Sequence, residues 1–218
     1  MANKGKITIP KYTLGEELLN SISHGIGALL GVCALVLCVV VAAMNSNVWG
    51  VVAGSIYGGS LIILYTMSTI YHALKVNRAK KVFRVIDHCS IYLLIAGTYT
   101  PYTLVTLRGG WGWTLFGIVW GAAALGITLN AIDLKKFKVL SMITYLAMGW
   151  VIIIAIKPML AALAPGGLWL LLLGGISYTI GAVLYVMGKK KKYIHGVFHI
   201  FVVIGSMLHF FSILFYVL

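Results

Sequence analysis

The chain has 218 residues, of which 61% are hydrophobic and 10% charged, with a formal net charge of +13 and a mean hydropathy of +1.01. Soluble domains carry roughly 45–50% apolar and about 25% charged residues, so a soluble domain, a disordered chain and a secreted disulfide scaffold are all excluded. What fits is an all-α polytopic membrane protein. A spanning helix takes about 20 mostly apolar residues, which leaves room for seven or eight spans at most. A β-barrel alternates apolar and polar residues along strands of about ten residues. Stretches 29–43 and 168–173 are instead apolar on every side.

In chain order, the apolar runs predict helices over 20–43, 48–73, 85–107, 111–131, 139–160, 166–188 and 194–217. They make a single seven-transmembrane-helix domain over 1–218, with 1–19 as a short cytoplasmic segment. The first residues contain no apolar core of a signal peptide, so the first span is expected to direct insertion. An odd number of spans argues against two equal inverted halves.

The bases alternate by loop. Lys4, Lys6 and Lys11 precede the first span. Lys75, Arg78, Lys80, Lys81 and Arg84 follow the second, Lys135, Lys136 and Lys138 the fourth, and Lys189, Lys190, Lys191 and Lys192 the sixth. Fifteen of the 17 bases thus fall on one side, with Arg108 and Lys157 on the other. The positive-inside rule places the N-terminus in the cytoplasm and the C-terminus outside, in a multi-pass plasma (inner) membrane protein. The same reading removes nucleic acid as a partner. The basic loops, the tetralysine above all, face anionic lipid instead.

Trp49, Trp111, Trp113 and Trp169 fall near the predicted outer ends as an aromatic belt, while Trp120 and Trp150 are expected to pack inside. Gly50, Gly54 and Gly58, and Gly117 with Gly121, have the four-residue spacing of close helix contacts. Cys33, Cys38 and Cys89 show no CxxC spacing, so neither a disulfide nor a thiolate metal site is expected.

Ionisable groups are costly within membrane helices, so the few present mark chemistry. On the predicted topology, His72 ends the second helix, Asp87 starts the third, and His195 and His199 start the seventh. Four candidate ligands from three helices therefore share one depth near the cytoplasmic face. His195 and His199 are four apart, on one face and about 6 Å apart along the axis, a spacing that suits two imidazoles on one metal. With His72 they make three histidines, a pattern that leaves a zinc ion one open position. Asp87 is then a fourth ligand or the group that holds and deprotonates water at the metal. Ser68, one turn before His72, can donate a hydrogen bond there. Glu17, Asn20 and His24 form a second polar stripe that can buttress the site or touch a headgroup. Glu16 is expected to be solvated. His88 points away from Asp87. His209 lies about 21 Å beyond His195 and is expected to be a hydrogen-bonded packing residue. Asp133 pairs at the surface, and Thr98, Thr100 and Pro101 mark a kink in the third helix.

The motifs Glu17-x-x-Asn20-x-x-Ser23-His24, Ser68-x-x-Tyr71-His72, Asp87-His88-Cys89-Ser90-Ile91-Tyr92, Ala96-Gly97-Thr98-Tyr99-Thr100-Pro101 and His195-x-x-x-His199 occur here in one chain. In this order they resemble the bacterial hemolysin III family, of the progestin and adiponectin receptor superfamily, and more distantly the alkaline ceramidases. The resemblance implies a seven-helix bundle with a cytoplasmic N-terminus. It implies zinc near the cytoplasmic face, held by His72, His195 and His199, with Asp87 on the zinc or its water and Ser68 in the site. In the receptors and ceramidases this zinc is associated with hydrolysis of an amide-linked lipid; the bacterial branch is also linked to membrane fluidity. The long cytoplasmic domain of the animal receptors is not matched, so hormone binding is not carried over.

Three functions compete. The first is a zinc-dependent hydrolase acting on a lipid amide or ester, with membrane lipid as substrate. The second is a membrane-state sensor with structural zinc. The third, a pore-forming haemolysin, ranks last because the predicted outer halves of the helices hold almost no ionisable residue except His209.

Overall fold

The computed structural model describes residues 9–188 and 191–218. Among the bases in the charge alternation, Lys4, Lys6, Lys189 and Lys190 lie outside the described residues. The described chain is all helical, with no strand. Its elements are α1 (Leu14–Met44), α2 (Val48–Ala73), α3 (Arg78–Pro101), α4 (Gly110–Asp133), α5 (Lys138–Trp150), α6 (Ile156–Ala162), α7 (Pro165–Met187) and α8 (Ile194–Tyr216). Six runs are long and apolar enough to cross a membrane, with α5 and α6 counted together as Lys138–Ala162. The remaining long helix, α3, carries Arg78, Lys80, Lys81, Arg84 and Asp87 in its first three turns.

Local chemistry sets the ends. α1 starts at Leu14, six residues before the predicted 20, because Thr13 and Glu16 form a capping box. The Glu16 carboxylate accepts from the Thr13 N–H at 2.8 Å, and the Thr13 hydroxyl accepts from the Glu16 N–H at 3.4 Å. Glu16 is therefore not solvated; it is buried, and it also accepts the Tyr193 N–H at 3.0 Å. Tyr193 is left-handed, with φ 62°, so this bond from α1 secures a strained residue at the start of α8. α3 starts at Arg78 rather than at the predicted 85, because the Asn77 side chain accepts from the Lys80 N–H. Asp133 closes the α4–α5 turn by accepting from the Lys135 and Lys136 N–H groups.

Two helices are broken where proline removes a donor. After Pro101, α3 runs into a π-helical turn over Tyr102–Thr106. The hydroxyls of Thr98, Thr100 and Thr103 bond back to the carbonyls of Leu94, Ala96 and Tyr99. Ahead of Pro158, the chain tightens into a 3₁₀ turn over Val151–Ala155. Tyr99 bridges this second break: its hydroxyl donates to the Gly149 carbonyl and accepts from the Ile152 N–H.

The helices close a ring in chain order. α1 packs on α2 and α8, α2 on α3, α3 on α4 and α5, α5 on α7, and α7 on α8. The turns α2–α3, α4–α5 and α7–α8 share one end, which carries the described bases from Lys75 to Arg84, Lys135 to Lys138, and Lys191 and Lys192. A core of Tyr57, Leu61, Tyr65, Tyr102, Leu115 and Ile213 fills the middle. Trp120 and Trp150 pack as expected, donating to Thr100 and Thr179. Cys33, Cys38 and Cys89 are free thiols.

The glycine spacings differ in consequence. An ideal Cβ on Gly58 would lie 2.5 Å from the Leu35 Cα, and one on Gly54 3.0 Å from the Cys38 Cβ, so α1 and α2 touch backbone to backbone there. A Cβ on Gly117 or Gly121 meets nothing within 4 Å. Gly58→Val is therefore expected to destabilise by about 1–3 kcal/mol through overpacking. Gly117→Val should stay within about 0.5 kcal/mol. Thermal melts of the two detergent-purified variants check the contrast; equal melting temperatures would remove the close α1–α2 contact.

Candidate metal centre

The last turn of α2 and the first turns of α8 meet at the basic end. His72 is the penultimate residue of α2, and His195 and His199 lie on one face of α8. The ring centroids are 5.4 Å apart for His72 and His195, 5.0 Å for His72 and His199, and 4.7 Å for His195 and His199. One nitrogen from each ring lies within 4.8 Å of the other two. Among the described residues this is the one group of three or more such donors.

The outer contacts of these rings fix which nitrogen faces inward. The Glu17 carboxylate accepts from His72 Nδ1 at 2.7 Å, which leaves Nε2 with its lone pair. That Nε2 is buried and has no hydrogen-bond partner. His199 Nδ1 donates to the Asn20 carbonyl at 3.2 Å, again leaving Nε2 as the basic nitrogen. The Asn20 amide sits 3.3 Å from His72 Nδ1. His24 stacks on His199 with centroids 3.6 Å apart, and neither of its nitrogens is hydrogen-bonded. The stripe of Glu17, Asn20 and His24 thus faces the three histidines, each member in a different way. A carboxylate behind an imidazole is the arrangement that orients a metal-ligating histidine.

Asp87 stands outside the group of three donors but lines the same cavity, as does Ser68, which is buried. His88 is not turned fully away from Asp87. Its Nδ1 lies 3.6 Å from the Asp87 carboxylate, within ion-pair range and beyond a hydrogen bond. The cavity holds about 200 Å³ and runs from His195 and His199 to His209. His209 is buried, but it is not hydrogen-bonded through Nδ1; its ring stacks on Tyr178 with centroids 5.4 Å apart.

Three side chains at this site were not expected from the sequence. Lys80, counted there as a loop base, is 2% exposed. Its ammonium donates to Glu17 at 2.5 Å and to the Leu74 carbonyl at 2.9 Å. Arg84 lines the cavity from the same helix. Lys80, Arg84 and Asp87 follow i, i+4, i+7 spacing, a stripe that the loop-by-loop charge count conceals. Tyr12, ahead of α1, stacks on His195 with centroids 5.1 Å apart and roofs the site. Burial pushes its phenol pKa up, so Tyr12 stays a neutral donor.

Comparison with known proteins gives a consistent answer. The family model described as "Haemolysin-III related" matches residues 12–210. "Hemolysin-3" of Bacillus cereus is 43% identical over 213 residues, covering 98% of this chain and 97% of that one. "Hemolysin-3 homolog" of Bacillus subtilis (strain 168) is 44% identical over 205 residues, covering 94% and 96%. The human "Monocyte to macrophage differentiation factor" is 27% identical over 210 residues, covering 93% and 85%. No solved structure matches the chain.

Removing one partner of the Glu17–Lys80 pair leaves a charge stranded between helices. Lys80→Met is expected to destabilise by about 1–3 kcal/mol, below the 3–5 typical of fully buried pairs because the Glu17 side chain is 18% exposed. The double variant Lys80→Met/Glu17→Gln should recover part of that loss. A double-mutant cycle by thermal unfolding reads the coupling, and strictly additive effects would deny the pair its role.

Proposed function

Because the chain belongs to the Haemolysin-III related family, we propose that it is a zinc-binding membrane protein that hydrolyses a lipid amide or ester and so adjusts membrane lipid composition or fluidity. The observation that carries this reading is His72: Nδ1 is held by Glu17, and Nε2 is buried without a partner beside two more imidazoles. A buried nitrogen lone pair left unmet is costly, and a metal ion is the group that would meet it together with one nitrogen from each of the other two imidazoles. His72, His195 and His199 would hold it, and an all-imidazole set with no thiolate suits zinc.

A zinc ion held by His72, His195 and His199 would supply Lewis acidity, for a carbonyl and for the acidity of water. The chain supplies the rest. Asp87 takes the proton of the attacking water on its carboxylate. It then returns that proton to the departing nitrogen or oxygen as the acyl bond breaks. The Ser68 hydroxyl orients the water or the carbonyl oxygen. Glu17 keeps the His72 ring fixed throughout. The apolar cavity beyond His199 takes the hydrocarbon part of the lipid and excludes bulk water.

In this reading α3 is the seventh span, with its charged turns standing at the cytoplasmic surface of the bacterial plasma membrane. The basic end faces inward, and its lysines contact anionic headgroups. The metal then lies near the cytoplasmic face, and the C-terminus lies outside. A reporter that is active only in the cytoplasm, fused after Leu218, is expected to be silent. A bright signal there would reverse the orientation or change the number of spans.

The chemical reading is tested by measuring zinc and lipid product on the same preparation. Elemental analysis should find about one zinc per chain, and none in the variant with His72, His195 and His199 all replaced by Ala. Binding requires neutral imidazoles, so occupancy should fall in acid as protons compete with the metal for the ring nitrogens. Asp87→Asn should keep its zinc and lose lipid turnover by about 10²–10⁴-fold, the range for losing a general base. Undiminished product from that variant with zinc bound would remove the hydrolase reading and leave the sensor reading in its place.

A further inference from the structure

The cavity does not end at the metal centre's own wall. His209 lines both this cavity and a second one of about 540 Å³, and Thr98, Tyr99, Gly149, Trp150 and Gly175 line both with it. The second cavity is walled by Ile153, Ile156, Leu160 and Trp169, all of which also stand exposed on the outer face of the bundle. The path from the histidines is apolar along most of its length and opens sideways.

His209 interrupts that apolar path. The residue is 6% exposed, and Nδ1 has no hydrogen-bond partner. Tyr178 stacks on the ring, and an ideal Cβ on Gly174 would lie 2.5 Å from its Cδ2 and Nε2, so the ring lies directly against that glycine. A polar group buried in this way is costly unless something meets it. Of the other polar side chains nearby, the Tyr102 hydroxyl on the wall of the second cavity is likewise buried without a hydrogen-bond partner, and four more are engaged. The Thr98 hydroxyl bonds to Leu94, Tyr99 to Gly149 and Ile152, Trp150 to Thr179, and Tyr178 to Ser206.

From these observations we infer that His209 is a second polar subsite, which hydrogen-bonds an oxygen carried partway along the hydrocarbon chain of the bound lipid. The inference rests on the reading that a lipid occupies the cavity with its head at the three histidines. Distance sets the position of the oxygen. His199 and His209 are ten residues apart on α8, or about 15 Å along the axis. An extended chain advances about 1.2 Å per bond, so the oxygen belongs roughly twelve carbons from the head. A hydroxyl suits the site because it can both donate to and accept from a neutral imidazole.

The probes are stearate, 12-hydroxystearate and 2-hydroxystearate, each competing against a fluorescent fatty acid on the full-length, zinc-loaded protein in detergent. Wild type is expected to bind the mid-chain hydroxy acid about three- to tenfold more tightly than stearate, the worth of one net hydrogen bond. The isomer hydroxylated next to the head should show no such gain. His209→Phe keeps the ring stacked on Tyr178 and removes both nitrogens, so the preference should vanish while stearate still binds. Should that variant fail to fold, the comparison of isomers on wild type carries the same test. Equal binding of all three acids by wild type overturns the subsite and leaves the lipid reading standing. Binding of none overturns both.

Discussion

Glu17 joins three helices at one point. One carboxylate oxygen accepts from His72 at the end of α2, and the other accepts from Lys80 at the start of α3. The same ammonium donates to the Leu74 carbonyl at the C-cap of α2, which satisfies a group that the helix end leaves orphaned. In lipid, apolar helices gain little by preferring one another over the surrounding chains, so register falls to close small-residue contacts and to a few polar bonds. Gly58 against Leu35 sets how near α1 and α2 come. Glu17 sets how far one slides along the other. The orientation of His72, and through it the inward lone pair of its Nε2, follows from that single carboxylate.

The irregular helices serve the cavity rather than the span. A straight α3 would present its carbonyls only to itself. The π turn after Pro101 and the 3₁₀ turn ahead of Pro158 lie beside the second cavity, where Tyr102, Ile152 and Ile153 form its wall. Unpaired backbone at such depth is tolerated only where protein groups meet it. Tyr99 and the threonine hydroxyls do so, one break through side chains of its own helix and the other across the cavity. The sequence positions of the prolines thus determine where the bundle can be hollow.

Much of this was legible in the residues. Composition and apolar runs gave helix existence and order, and the four-residue spacing of His195 and His199 gave one face of the site. Boundaries went astray where caps outweigh hydropathy: Thr13 with Glu16 extends α1 back to Leu14, and Asn77 extends α3 back to Arg78. Lys80 was hidden because counting charges by loop treats every base as exposed, whereas here the helix begins before the charges end. The bond from Glu16 to Tyr193 has no signal in spacing, since it joins residues 177 apart. His209 was expected to find a partner; periodicity places a residue on a face but does not reveal what lies opposite it.

The chain holds four acids against 17 bases, and each acid has a defined place. Asp133 closes a turn at the basic end, and Glu16 ties the strained start of α8 to the start of α1. Glu17 orients His72, and Asp87 lines the cavity beside the histidines. Three of the four therefore gather where α1, α3 and α8 begin, among most of the described cations. Each of the three has its own polar neighbours against the loss of water: Thr13 and Tyr193 donate to Glu16, His72 and Lys80 to Glu17, and His88 stands 3.6 Å from Asp87. These bonds also limit what the site can do. Two of the three carboxylates are committed to holding backbone and imidazole in place, so Asp87 is the one left facing the cavity. Asp87 alone among the acids lines the cavity, while Glu16, Glu17 and Asp133 hold a helix start, an imidazole and a turn in place.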